Sequence, residues 1–274
     1  MARFGSSSLA LPDFRGATRR LILINLAAYF ALLLLSLAST GAFAQTLAIT
    51  WFDPASFLHG ALWQPLTYSF VHVGILRTLL ELLSLWFLAG FLETYHNANW
   101  VTSLYAVSVL GTALAALALY GLGATVAASI VGPVTPLAGS FGGIFGMLMA
   151  IGVLYGDVQF MLFPLPISIK ARYLAAIYAL VAFATLFGEG RMLAFSMLGG
   201  GLAGLLFVRM APRRGMSFMF SETFYGLRNR YYRWKRRRAA RKFEVYMRRQ
   251  GRNVRFDGQG HLIDEDNDDK KRWN

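Results

Sequence analysis

Gly139-Ser140-Phe141-Gly142-Gly143-Ile144-Phe145-Gly146 and, further along, Gly199-Gly200-Gly201-Leu202-Ala203-Gly204 are glycine blocks set inside otherwise apolar runs. Gly142 and Gly146 stand at i and i+4, as do Gly200 and Gly204. On a helix that spacing stacks bare backbone along one face. In lipid, where helices gain nothing from leaving an apolar solvent, such small-xxx-small faces allow close backbone approach. Two of them, on runs separated by one further run, predict that those two helices meet face to face.

The composition places these blocks in a membrane. Apolar residues make up 56% of the 274 and charged residues 15%, too apolar for a soluble domain of this length. The formal net charge is +13, and nineteen of the 27 Lys and Arg lie from Arg209 onward. The chain has no cysteine, so disulfides and thiolate chemistry are excluded. No pattern calls for a metal or a cofactor.

Six apolar runs are expected to span: Leu21–Ala44, Val71–Leu92, Trp100–Leu122, Leu137–Tyr155, Ala171–Gly188 and Met192–Val208. The first is long enough to remain as an anchor rather than be cleaved as a signal. The last two are short, as suits helices packed centrally in a bundle. Gln45–Ser69 reads as irregular and interfacial, with Trp51 and Trp63. Gly123–Pro136 reads as a Gly/Ala-rich link, and Asp157 to Lys170 as a short loop. The expected organisation is a cytoplasmic segment 1–20, a membrane domain 21–210 and a basic cytoplasmic tail 211–274.

Basic residues set the orientation. With the N-terminus inside, the inner segments hold Arg3, Arg15, Arg19, Arg20, Lys170, Arg172 and the whole tail, while the outer ones hold Arg191. Both termini are therefore expected in the cytoplasm. In the tail, Tyr225–Arg249 mixes Tyr231, Tyr232, Trp234, Phe243 and Tyr246 with a dense set of Lys and Arg. It predicts a helix lying on anionic lipid headgroups, each basic residue contributing about 1 kcal/mol. Nucleic acid would also attract such a patch, but tethering beside a membrane favours lipid. Asp264–Asp269 forms an acidic end.

Ionisable residues inside a span cost several kcal/mol. Arg77 and Glu81 sit at i and i+4 on the second run and are expected to neutralise one another as an intramembrane pair. His72 falls just over a turn before Arg77, near the outer interface, where it reads as a hydrogen-bonding histidine.

Trp63-Gln64-Pro65-Leu66-Thr67-Tyr68-Ser69-Phe70-Val71-His72, the Leu85-Trp86-Phe87 stretch running to Leu92-Glu93, and the two glycine blocks together resemble the rhomboid family of intramembrane serine proteases over about residues 20 to 210. The fourth-run block resembles that family's Gly-x-Ser-Gly motif and the sixth-run block its His-x-Gly-Gly-x-x-x-Gly motif. The resemblance implies an all-α, six-transmembrane-helix rhomboid-like bundle. It also implies where the chemistry should sit. The nucleophile position falls on Phe141, the base on Met197, and the two oxyanion-binding positions on Arg77 and Glu81, while the first histidine of the second-helix motif is retained as His72.

A serine hydroxyl without a base is a poor nucleophile. Ser140 lies one residue before the nucleophile slot, and no histidine follows His96 until His261. Ser140 is accordingly expected to bond backbone at a helix start, with catalysis by a displaced Ser140 as the alternative. Phe141 and Met197 are expected to fill the space of the lost dyad. These readings imply a pseudoprotease that binds transmembrane segments of client proteins without cutting them, the alternative being an active intramembrane serine endopeptidase using Ser140. The expected location is a bacterial inner membrane, as a multi-pass protein.

Overall fold

The computed structural model describes residues 12–125, 135–162, 167–188 and 190–210, with residues 228–235, 238, 239, 243, 246 and 249 near the C-terminus. The chain divides into two units, Met1–Met216 and Ser217–Asn274. The expected acidic end, Asp264–Asp269, and residues 126–134 of the expected link lie outside the described residues.

Helix α1, Gly16–Ala38, starts earlier than the hydropathy of the first run suggests because its N-terminus is bound from elsewhere. The Ala17 and Thr18 amides donate to the Glu93 carboxylate at 2.8 and 3.1 Å, and the Thr18 hydroxyl donates at 2.7 Å. A carboxylate there satisfies amides that have no partner within the helix and complements its positive end. The expected span Leu21–Ala44 is in fact two helices. Ser39 is extended, and its hydroxyl accepts from the Ala42 amide at 3.2 Å, capping a new helix α2, Thr40–Thr50.

The stretch read as irregular contains short helices: α3, Pro54–Leu58, capped by Asp53; α4, Gln64–Thr67; and a 3-10 turn, Tyr68–Phe70. Helix α5, Ile75–Tyr95, begins only after Gly74, whose φ of +86° suits glycine. His72 therefore lies in an extended lead-in before the helix, a correction to its reading as part of the second span. Helix α6 is Ala98–Thr125 and α7 is Phe141–Leu154. The loop expected between Asp157 and Lys170 carries an antiparallel hairpin, β1 Gln159–Leu162 with β2 Ile167–Lys170, so the fold is not purely helical. Helices α8, Ala171–Thr185, and α9, Arg191–Met210, complete the first unit.

Among the described residues four helices are long and apolar enough to cross a membrane: Gly16–Ala38, Ile75–Tyr95, Ala98–Gly123 and Arg191–Met210. Phe141–Leu154 and Ala171–Thr185 are shorter apolar helices. At 1.5 Å per residue they are only about 21–23 Å long, less than the ~30 Å hydrocarbon core. The chain is thus a mostly helical, multi-pass integral membrane protein. Helix α7 buries Phe141, Gly142, Gly143, Phe145, Gly146, Met147, Leu148, Ala150 and Ile151, so protein rather than lipid surrounds most of it.

Helices α6, α7 and α9 meet through small residues. A Cβ on Gly204 would lie 2.8 Å from the Gly146 carbonyl oxygen, and one on Gly200 would lie 3.1 Å from that of Gly142. A Cβ on Gly142 would overlap Thr112, and one on Gly146 would overlap Ser108. Those two hydroxyls bond back within α6, Ser108 to Leu104 O at 2.8 Å and Thr112 to Ser108 O at 2.9 Å. Polar side chains thus pack here as small, satisfied groups. In the second unit, residues 228–235 are helical, and Tyr231, Tyr232 and Trp234 are more than half exposed at 57%, 51% and 55%.

The glycine contacts give a direct expectation. Gly204→Val should destabilise the protein by about 1–3 kcal/mol, because the backbone of Gly146 cannot move aside as a side chain can. Gly41→Ala, in α2, where the nearest atom to a new Cβ is 3.9 Å away, should be neutral or stabilising by up to about 1 kcal/mol. Thermal unfolding of the two variants in detergent checks the contrast, and equal effects would contradict it.

Candidate functional site

Two non-helical lead-ins converge on the N-terminal end of α5. One is Val71–Val73, following the 3-10 turn. The other is 137–140, preceding α7, which is fixed by paired hydrogen bonds between Phe52 and Leu137 at 2.9 Å each and by the Gly139 amide donating to Tyr68 O at 2.9 Å. Gly139 has φ +112°, and a Cβ there would lie 2.6 Å from a Glu81 carboxylate oxygen. Only glycine serves at that position, both for the backbone conformation and for the space the carboxylate fills.

Ser140 occupies the N-cap position of α7 but makes no capping bond with its side chain. Its hydroxyl lies 2.9 Å from His72 Nε2, with Ser140 at 0% and His72 at 3% exposure. The sequence reasoning missed this pairing. It looked for a base after the fourth run, whereas the histidine comes from the lead-in before α5. His72 Nδ1 lies 3.2 Å from Phe70 O. A carbonyl can only accept, so this contact suits the tautomer that carries its proton on Nδ1.

Glu81 closes the cluster. Its Oε2 accepts from the Ser140 amide at 2.7 Å, lies 3.2 Å from His72 Nε2, and is 3.5 Å from the Ser140 hydroxyl. Its Oε1 accepts from Arg77 Nε at 2.8 Å, and Arg77 also donates to Ala138 O at 2.9 Å. The arrangement differs from a catalytic triad. There the acid and the serine take opposite nitrogens of the imidazole; here Glu81 and Ser140 share Nε2. A carboxylate also accepts only, so Glu81 and the Ser140 hydroxyl compete for the same nitrogen.

The sequence-derived site residues distribute as follows. Arg77 and Glu81 do pair, but unequally: the Arg77 side chain is 54% exposed and that of Glu81 13%. Of the expected intramembrane pair, the buried member is the carboxylate alone. Phe141 is buried, its ring centroid 6.3 Å from that of Tyr68. Met197 is partly buried against the same hydrophobic core. Gly142, Gly146, Gly200 and Gly204 lie at the α6–α7–α9 contacts already described. A separate cavity of about 550 Å³ is lined by Tyr95, His96, Asn97, Trp100, Leu154, Tyr155 and Val208, at the other end of α5.

The family model described as eukaryotic integral membrane protein (DUF1751) matches residues 22–215, which is most of the chain. No curated protein matches it. The eukaryotic family overturns the expectation of a bacterial inner membrane. Basic-residue bias orients a membrane protein without revealing its host. Multi-pass insertion stands.

The unequal burial of the pair predicts unequal substitutions. Glu81→Ala should cost about 1–3 kcal/mol, because it strands the Ser140 amide. Arg77→Ala should cost less, since its guanidinium is half exposed. A double-mutant cycle read by thermal unfolding in detergent tests the ranking; an Arg77 effect equal to or larger than that of Glu81 would refute it.

Proposed function

The chain belongs to the eukaryotic integral membrane protein family DUF1751, and from that premise we propose that it is a rhomboid-like pseudoprotease, a six-helix membrane protein that holds transmembrane segments of client proteins without cutting them. The observation that carries this reading is the Glu81 carboxylate on the Ser140 amide. In acyl transfer by serine, backbone amides of this kind stabilise the oxyanion that develops in the transition state. Here a permanent negative charge already occupies that donor, and a second negative charge brought to the same point would be repelled. The same carboxylate also lies 3.2 Å from His72 Nε2, the nitrogen a base would use. The hydrophobic residues Phe141 and Met197 stand at the nucleophile and base positions that the resemblance assigns.

A holding role needs apolar helix faces open to the bilayer. Helix α5 exposes Leu76, Leu79, Leu80 and Leu83, and α8 exposes Tyr173, Ile177, Leu180 and Val181. Both helices are candidates to meet a client helix, by van der Waals packing and hydrogen bonds rather than by hydrophobic transfer. In this reading both termini are cytosolic, and the basic, aromatic tail lies on anionic headgroups of the same membrane. Arg238 stacks over Trp234 at 5.4 Å, a geometry that lets the aromatic ring and the cation reach the interface together. A second reading, an intramembrane peptidase that uses Ser140, is favoured by the 2.9 Å approach of His72 to its hydroxyl.

Co-reconstitution with a fluorescently labelled single-span test protein separates the two. Binding should appear as energy transfer between the labels, weaken when Leu83 and Val181 are both replaced by tryptophan, and be accompanied by no shorter product. A product that disappears in Ser140→Ala would replace this reading with the peptidase, and absent binding would remove it.

A further inference from the structure

We propose that Ser140 and His72 form a latent nucleophile–base pair, closed from within by the Glu81 carboxylate, and that this pair reacts with phosphorus or acyl electrophiles once the carboxylate is withdrawn. The inference rests on the pseudoprotease reading and supplies its mechanism of silence. It assigns that silence to one side chain rather than to the missing groups at Phe141 and Met197.

The geometry for reaction is otherwise present. The Ser140 hydroxyl and His72 Nε2 are within 2.9 Å, the reach a general base needs. Nδ1 is anchored on Phe70 O, so the ring is held with its other nitrogen toward the serine, the orienting role an acid plays in a triad. The Ser140 amide points to the same place as the hydroxyl's partner, because Glu81 Oε2 reaches both that amide and Nε2. Ser140 precedes the first helical residue of α7, where the helix's positive end favours a developing anion. One carboxylate therefore stands against two functions at once: it occupies the amide and it competes with the hydroxyl for Nε2.

Access follows the same line. Glu81 is 13% exposed and hydrogen-bonded to Arg77, which is 54% exposed. Shortening residue 81 removes the carboxylate that stands between the exposed guanidinium and the buried Ser140. In the reaction with a fluorophosphonate, the Ser140 oxygen attacks phosphorus and the O–P bond forms as the P–F bond breaks. Fluoride leaves with the bonding pair, and the hydroxyl proton passes to His72 Nε2. No further reactant is required.

The experiment treats the full-length protein in detergent micelles with a fluorescent fluorophosphonate, comparing wild type with Glu81→Asn, Glu81→Ala and Glu81→Gln. Wild type should remain unlabelled. The Asn and Ala variants should label at least about tenfold above it, at Ser140 as located by peptide mass, and the signal should vanish when Ser140→Ala or His72→Phe is added. Glu81→Gln keeps the volume of the side chain and so serves as the folded variant if the shorter residues unfold. It should label above wild type, because the permanent negative charge on the Ser140 amide is gone. Any Glu81 variant that melts like wild type yet stays unlabelled overturns the inference, as does labelling that survives Ser140→Ala. Client binding measured in parallel separates the outcomes: silent Glu81 variants with binding intact sink only the latent site, whereas a wild type that labels and cuts sinks the pseudoprotease reading too.

Discussion

A carboxylate can only accept hydrogen bonds, and burying one demands donors on every side. Glu81 meets that demand with the Ser140 amide, His72 and Arg77, and much of this end of the molecule is arranged around it. Gly139 must lack a side chain to leave it room. The lead-in 137–140 must be pinned by Phe52 and Tyr68 so that the amide points at it. His72 must leave the helix for the extended segment before Gly74. The same helix repeats the device at its other end, where Glu93 binds the amides of Ala17 and Thr18. Helix α5 thus carries two carboxylates, each capping the N-terminus of a different helix, α7 near its start and α1 near its end. Neither capped helix supplies a side-chain cap of its own, so both depend on α5 to satisfy backbone donors that the membrane would leave bare.

Behind this strut, α6, α7 and α9 pack as close as backbones allow. The contacts are glycine against carbonyl and glycine against hydroxyl, with Gly111 against Ala203 and Gly199 against Ala115 extending the seam. Such packing gathers dispersion contacts where the hydrophobic effect between helices is absent. It also leaves no slack for an aqueous cleft. A large residue at Phe141 suits that seam, since its ring lies beside Tyr68, whose own hydroxyl donates to Val109 O at 2.9 Å.

The parts of this that the sequence made legible are the parts encoded locally. The i, i+4 glycines announced close helix approach, and the long uncharged runs announced the membrane. The i, i+4 spacing of Arg77 and Glu81 announced their pairing. What escaped was set by the backbone between elements. The break at Ser39 divides a continuous apolar run, and hydropathy cannot see a serine that caps a new helix. The hairpin at Gln159–Lys170 joins segments that each look like loop. The meeting of His72 with Ser140 depends on two glycines in unusual conformations, Gly74 and Gly139, which pull both residues off their helices. Helical spacing carried no trace of it.

That last point decides how the resemblance to a serine protease should be read. Counting along a helix, a residue one step before the nucleophile slot is rotated by about 100° and should face elsewhere. Ser140 escapes the count because it is the N-cap, with φ −83° and ψ 4° outside the helical pattern, while Phe141 is the first helical residue. Its hydroxyl is therefore aimed by the lead-in rather than by the helix, toward the end of α5. There the ring it meets is not the one on α9 that the resemblance would supply, since that position is Met197. The site brings together a serine and a histidine other than those the resemblance would supply, and the residue that stands beside both is an acid. An acid in this place serves the fold by capping α7.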